Sequence, residues 1–255
     1  MLHHGYERYY PLFLERWRDK PIKMLEIGFL QGKSYDMWVQ YFPQGEVWAI
    51  EKDGDDEAYP KMIGNIDQSS REQMAKMLSD KGLEGKLNFI IDDGSHHPAH
   101  QDISFRYMFV HGLKPGGVYI VEDTEMNYWR QGDTYGHKTA YGKDHPDSML
   151  TKFKAFVDVA NNEFSPKNRP YRSVFGDEID EWISGIFFGH NCAIVLKATE
   201  DEQERFLRRK YRYVKNLDAP GTTVSSILGG SLDNAIEPVA KAVGSNSLGL
   251  RGTTP

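Results

Sequence analysis

The sequence has little of several things that would assign it to whole classes of protein. It holds one cysteine, Cys192, in 255 residues, so an intrachain disulfide is excluded and a reducing, cytoplasmic setting is expected. No apolar run approaches the roughly 20 residues of a membrane-spanning helix. The opening "MLHHGYERYYPLFLERW" breaks its apolar positions with Glu7, Arg8 and Glu15, unlike a secretory leader. A basic excess is also missing: the formal net charge is −6, whereas a nucleic-acid surface normally carries positive charge. Internal repeats and low-complexity tracts are absent. What remains is an ordinary globular composition, 39% hydrophobic and 27% charged, in a chain long enough to bury a substantial core. The expected partner is a small molecule, with no nucleic acid and no membrane, and the expected assembly is a homo-oligomer.

Short β-rich runs alternate with helical stretches. "IKMLEIGF", "GEVWAIEKD", "KLNFIIDD" and "PGGVYIVED" read as strands; "YDMWVQYF", "SSREQMAKMLSDKGL" and "HQDISFRYMFVHGL" read as the helices between them. In the second helix Ser69 or Ser70 supplies the N-cap and Gly82 the stop. Such alternation predicts βαβ units and a parallel sheet. "DEWISGIFFG" and "NCAIVLKA" flank His190-Asn191 and predict an antiparallel hairpin. The expected fold is an α/β, doubly wound, Rossmann-like sheet of seven strands, mostly parallel and ending in that hairpin. A helix is expected over 1–20, the sheet domain over 21–199, and a C-terminal helix and tail over 200–255. Within the domain, 130–148 has no period and four glycine or proline punctuators, which predicts a lid.

"LEIGFLQGKS" places Gly28 and Gly32 between a strand and a helix, where a cofactor can approach backbone amides. The dinucleotide fingerprint G-x-G-x-x-G is not met, since position 30 is leucine. Glu26 instead gives E-x-G-x-x-x-G. A carboxylate there repels a pyrophosphate but suits the amino group of a methionine tail, which favours S-adenosylmethionine over a nicotinamide dinucleotide. Glu51, ending the second strand, is placed to accept ribose hydroxyls, with Asp53 next in line. Ser34 joins this cofactor set. The plain alternative is a simple turn beside a surface acid.

The run "IIDDGSHHPAHQ" puts Asp92 and Asp93 at the carboxyl end of a central strand, and "VYIVED" puts Glu122 and Asp123 at the end of the next. Acids converging on one rim repel one another unless a cation neutralises them, and hard oxygen ligands select Mg²⁺, Ca²⁺ or Mn²⁺. His96 follows a tight Gly94-Ser95 turn, and a neutral imidazole is the usual base near pH 7. Asp92 more often caps a turn than binds a ligand. His97 and His100 suit a helix start, with Pro98 in the first turn. Ser95 belongs to no G-x-S-x-G elbow. No H-x-x-x-H or H-E-x-x-H zinc spacing stands on a continuous helix, because Pro98 interrupts His96 to His100.

Together "EIGFLQGKS", "DQSS", "IIDDGSHHPAHQ", "PGGVYIVEDTEMNYW" and "SGIFFGHNCAIVLKA" resemble the macrolide-sugar (mycinamicin and macrocin) O-methyltransferase family over residues 20–198. The resemblance implies a class I methyltransferase dependent on S-adenosylmethionine and Mg²⁺, here without the family's extra N-terminal domain. It implies Asp93, Glu122 and Asp123 as metal ligands, His96 as general base beside Asp93, and Glu26, Gly28, Glu51, Asp67 and Gln68 as cofactor contacts, with Gly32, Ser34 and Asp92 beside them. His97, Tyr128, Trp129 and Arg130 are the candidate acceptor contacts. Two other readings stand beside a hydroxyl acceptor. A carboxylate acceptor needs neither base nor metal and would be oriented by Arg130, Lys138 or Lys143. A non-catalytic nucleoside-binding module would use the loop alone.

Overall fold

A computed structural model describes residues 5–54, 56–130, 138–161, 173–205 and 207. The chain divides into two compact units, Met1–Glu204 and Arg205–Pro255; the second lies almost wholly outside the described residues, and with it the expected C-terminal tail.

In the first unit the strands are β1 (Lys23–Ile27), β2 (Glu46–Ile50), β3 (Met62–Ile63), β4 (Leu87–Asp92), β5 (Leu113–Val121), β6 (Ile183–Gly189) and β7 (Cys192–Lys197). They form one seven-stranded sheet in the order β3-β2-β1-β4-β5-β7-β6. The first five pair in parallel, and β7 runs antiparallel to both β5 and β6. This is the expected Rossmann-like arrangement. β4 is buried at all six positions, as a central parallel strand covered on both faces must be.

The helices are α1 (Tyr10–Leu14), α2 (Lys33–Tyr41), α3 (Arg71–Lys81), α4 (Pro98–His111), α5 (Met149–Ala160) and α6 (Asp177–Asp180). Ser70 caps α3 by accepting from the Gln73 amide, and Gly82 ends it with φ 62°, a left-handed conformation that glycine adopts without a Cβ clash. Side chains alternate across the strands. Leu25, Ile27 and Ile90 meet Met74, Leu78, Phe105 and Phe153 on one face. Met24, Phe89 and Ile91 meet Tyr6, Tyr10, Leu14 and Trp38 on the other. Both faces are therefore covered, which is the doubly wound layering.

Two details depart from the sequence reading. The helix expected over 1–20 is a broken one: a 3-10 turn at Tyr6–Arg8, the five-residue α1, and a second 3-10 turn at Glu15–Trp17. Pro11 fits only the first turn of an α-helix, so the path divides there. β3 and α6 were not expected; at two and four residues each is too short to carry a period. Among the described residues no helix is long and apolar enough to cross a membrane.

Candidate active site

The carboxyl ends of β1, β4 and β5 are levelled by ladder bonds one residue beyond each neighbour: Gly28 N–H donates to the Ile50 carbonyl, Asp93 N–H to Ile27 and Glu122 N–H to Asp92, at 2.9, 2.9 and 3.0 Å. The loops that leave this edge enclose a cavity of about 690 Å³ lined by Gly28, Ser34, Glu51, Asp67, Gln68, Asp93 and His96, among others. Ligands in open α/β sheets bind at this edge.

Gly28 is required by space as well as by conformation. Its φ is 95°, and a Cβ there would lie 2.2 Å from the Asp93 carbonyl oxygen. The first loop and the acid rim thus touch through backbone, and a side chain would drive them apart. Gly32 (φ 71°) starts α2. Glu51 reaches back from β2 to the same loop, its carboxylate accepting from the amides of Phe29 (2.9 Å), Leu30 (3.1 Å) and Lys52 (2.7 Å). Partial burial opposes its charge, but these amides prevail and hold the carboxyl below its usual range. Asp67 is held down to about 2 by the Ser69 hydroxyl and amide together with Lys52.

Glu26 and Asp92 are not on the cavity lining. Glu26 lies beneath the loop, 1% exposed. Its Oε1 accepts from the Trp38 indole at 3.2 Å. Its Oε2 finds no hydrogen-bond partner among the described residues, although the Ser34 hydroxyl is close enough to favour the charged form. Burial prevails and raises it to about 8. Asp92, expected among the cofactor contacts, lies beneath the turn rather than on the cavity wall. Fully buried, it accepts from Gln68 Nε2 (3.0 Å), Ser104 Oγ (2.6 Å) and Tyr119 OH (3.2 Å). These three donors leave it anchoring Gln68, whose Oε1 accepts from the Ser95 amide at 2.6 Å. Asp92 therefore shapes the turn from below.

On the rim, Asp93, His96 and Asp123 each present one ligand atom within 4.8 Å of the others. His96 Nε2 lies 3.6 Å from Asp123 Oδ2. Both residues adopt left-handed backbone, φ 55° and 49°, a region in which Asp and His are among the commoner non-glycine residues. Asp93 is pushed up to about 7 by burial and by the charges of Asp123 and Asp92. Glu122 is raised by burial and by Asp93; its Oε1 accepts from Tyr10 OH, so it is beside the cluster rather than in it. Ser95 Oγ pairs with His100 Nδ1 at 2.9 Å, not with His96. His97 caps α4 by accepting from the Ala99 amide. Tyr128 borders a second cavity of about 880 Å³ with Leu150, Phe188 and His190; Trp129 and Arg130 line neither. Of the expected lid, 131–137 lie outside the described residues; Thr139 and Lys143 donate backbone bonds to Arg130 and Tyr128.

Sequence reasoning missed Tyr6, Tyr10 and Asn191. Tyr6 OH donates to Asp123 Oδ1 at 2.7 Å and Asn191 Nδ2 to the same oxygen at 3.0 Å. The i, i+4 spacing of the tyrosines suggests a shared face but carries no hint of partners as distant in sequence as Asp123 and Glu122.

No protein-family model matches the chain. It is 29% identical over 209 residues to the mycinamicin VI 2''-O-methyltransferase of Micromonospora griseorubida, covering 78% of this chain and 49% of that protein. It is 31% identical over 204 residues to the 8-demethyl-8-alpha-L-rhamnosyl tetracenomycin-C 2'-O-methyltransferase of Streptomyces olivaceus, covering 76% and 50%. A solved structure of the MycE methyltransferase from the mycinamycin biosynthetic pathway, in complex with Mg and SAH, aligns with a TM-score of 0.61 at 28% identity, over 76% of this chain and 50% of that one. The chain thus spans about half the length of the curated relatives it matches. Over that shared part it has the fold of these methyltransferases and is similar in sequence to the macrolide-sugar O-methyltransferases.

Proposed function

We propose that the chain is an S-adenosylmethionine-dependent O-methyltransferase acting on a hydroxyl of a small natural-product-type molecule, with a divalent cation at the acid rim and His96 as base. One observation carries this reading: a single cavity is lined both by the Glu51-tethered glycine loop and by Asp93 and His96, whose ligand atoms lie within 4.8 Å of one another and of one on Asp123. The residues fit both groups. For the cofactor, α2 starts without a side-chain cap, which leaves its first-turn amides to a ligand, and Glu26 beneath the loop keeps one buried oxygen with no hydrogen bond among the described residues. For the cation, the Asp93 and Asp123 carboxylates are hard oxygen donors, and Asp93, pushed up to about 7 by burial and then by Asp123 and Asp92, gains from a positive charge beside it.

When bound, S-adenosylmethionine supplies an already activated methyl group, and the cation supplies positive charge that acidifies a neighbouring hydroxyl. The chain does the rest. Asp93 and Asp123, with Glu122 beside them, hold the positive charge. His96 Nε2 takes the proton of the acceptor hydroxyl, and Asp123 Oδ2 steadies the resulting imidazolium. Glu51 and Gln68 set the loop and turn against which the two reactants are oriented. The acids argue against a carboxylate acceptor, because Asp93, Glu122 and Asp123 would repel it.

Calorimetric titration with S-adenosylhomocysteine, followed by methyl-transfer assays on hydroxylated and carboxylated acceptors, tests the proposal. Binding in the micromolar range with turnover only on hydroxyls is expected; binding without turnover on any acceptor would support a non-catalytic module. Glu51→Ala is expected to weaken cofactor binding by roughly 1.5–3 kcal/mol, the worth of a charge-assisted hydrogen bond. Since Glu51 also ties down Phe29 and Leu30, the same variant should make the 28–32 loop more open to hydrogen exchange. Unaltered affinity in that variant would move the ribose contact to Asp53.

A further inference from the structure

The acid rim is gripped by the N-terminal segment, on the face of the sheet opposite α3 to α5. Tyr6 and Tyr10 stack with ring centroids 5.6 Å apart and planes at 18°, and they are 1% and 4% exposed. Tyr6 OH donates to Asp123 Oδ1 at 2.7 Å and accepts from the Asp123 amide at 3.2 Å. Tyr10 OH donates to Glu122 Oε1. Packing alone does not account for these hydroxyls, since phenylalanine would fill the same space and a buried hydroxyl requires a partner. The partners are adjacent residues of one rim, and the contact is selective among oxygens. Tyr6 and Asn191 both occupy Oδ1 of Asp123, which turns Oδ2 toward His96.

We infer that Tyr6 and Tyr10 are positioning residues for the divalent cation: the Tyr6 hydroxyl fixes which carboxylate oxygen of Asp123 faces His96, and the Tyr10 hydroxyl holds Glu122 beside that cluster. The inference rests on the cation reading given above. It adds that docking of the N-terminal segment and occupancy of the cation site are linked, each favouring the other.

The full chain, free of cofactor, is titrated with Mn²⁺ and free ion is read by electron paramagnetic resonance. Tyr6→Phe and Tyr10→Phe keep the stacked rings and remove only the hydroxyls. Each is expected to raise the Mn²⁺ Kd about 10–100-fold, the usual effect of losing a group that orients a metal ligand. Tyr41→Phe is the control, because its hydroxyl bonds Glu15 on the exposed surface; it should bind Mn²⁺ like the parent. A merely structural role would lower the melting temperature in EDTA and leave the Mn²⁺ Kd unchanged, and that result overturns the inference. If the parent chain binds Mn²⁺ no better than Asp93→Asn, the cation reading itself fails and takes the inference with it. Normal parent binding with unaffected tyrosine variants removes the inference alone.

Discussion

An alanine at position 96 is expected to lower kcat by roughly 10²–10⁴-fold, the usual contribution of a positioned proton acceptor, with little change in affinity for S-adenosylhomocysteine. The imidazole sits on the cavity wall, 3.6 Å from Asp123 Oδ2. Its backbone is left-handed, φ 55°, a region in which His, Asn and Asp are found more often than alanine. His96→Asn, a residue that tolerates this conformation, separates loss of the base from loss of fold. Single-turnover rates, Mn²⁺ affinity and melting temperature are read together. A slow rate with normal Mn²⁺ binding identifies a base. Collapse of Mn²⁺ binding would make His96 a ligand instead, and a normal rate in both variants would remove it from the chemistry.

Chelation is the second large effect. EDTA should abolish turnover and Mg²⁺ restore it, and Asp93→Asn should match the chelated state because it removes one ligand charge while Glu122 and Asp123 remain crowded. The pH dependence follows from Asp93, which burial and its neighbours push up to about 7. Without a cation, the folded chain keeps a proton that an unfolded aspartate, with its ordinary value of 3.8, has already lost. Stability of the metal-free protein from this group therefore falls as pH rises from about 4 to 7. A bound cation displaces that proton and favours the carboxylate. The gain in melting temperature on adding Mg²⁺ should accordingly grow between pH 5.5 and 8. Asp93→Asn should flatten that slope; a gain independent of pH in the parent would place the cation elsewhere.

Much of this architecture can be read from local pattern. Continuous apolar runs such as "NFII" and the cap-to-stop frame from Ser70 to Gly82 are short-range signals, and the strands and α3 follow them. The grouping of Gly28, Glu51, Asp93 and His96 was legible because each closes a parallel strand or follows its end, and a parallel sheet brings those ends together. Asp92 and Asp93 show the limit. They are neighbours in sequence, but the strand's alternation sends one carboxylate into Ser104, Gln68 and Tyr119 and the other to the rim. Only the phase of the pleat separates them. Tyr6 and Asp123 stand 117 residues apart, and nothing local in "GYERYY" announces that pairing.

The direction of β7 has a use of its own. A parallel seventh strand would start at the opposite end of the sheet, and whatever preceded it would be remote from the edge that carries the cavity. Because β7 opposes β5, with Val121 paired to Ala193, the His190-Asn191 bend returns to the working edge. From there the Asn191 amide reaches Asp123 and its carbonyl accepts the Thr124 amide at 3.2 Å. The reversal therefore provides an extra loop beside the chemistry. That loop is held by Asn191 to the rim and yet belongs to no βαβ crossover, so its length can vary around Asn191 without moving the parallel half of the sheet.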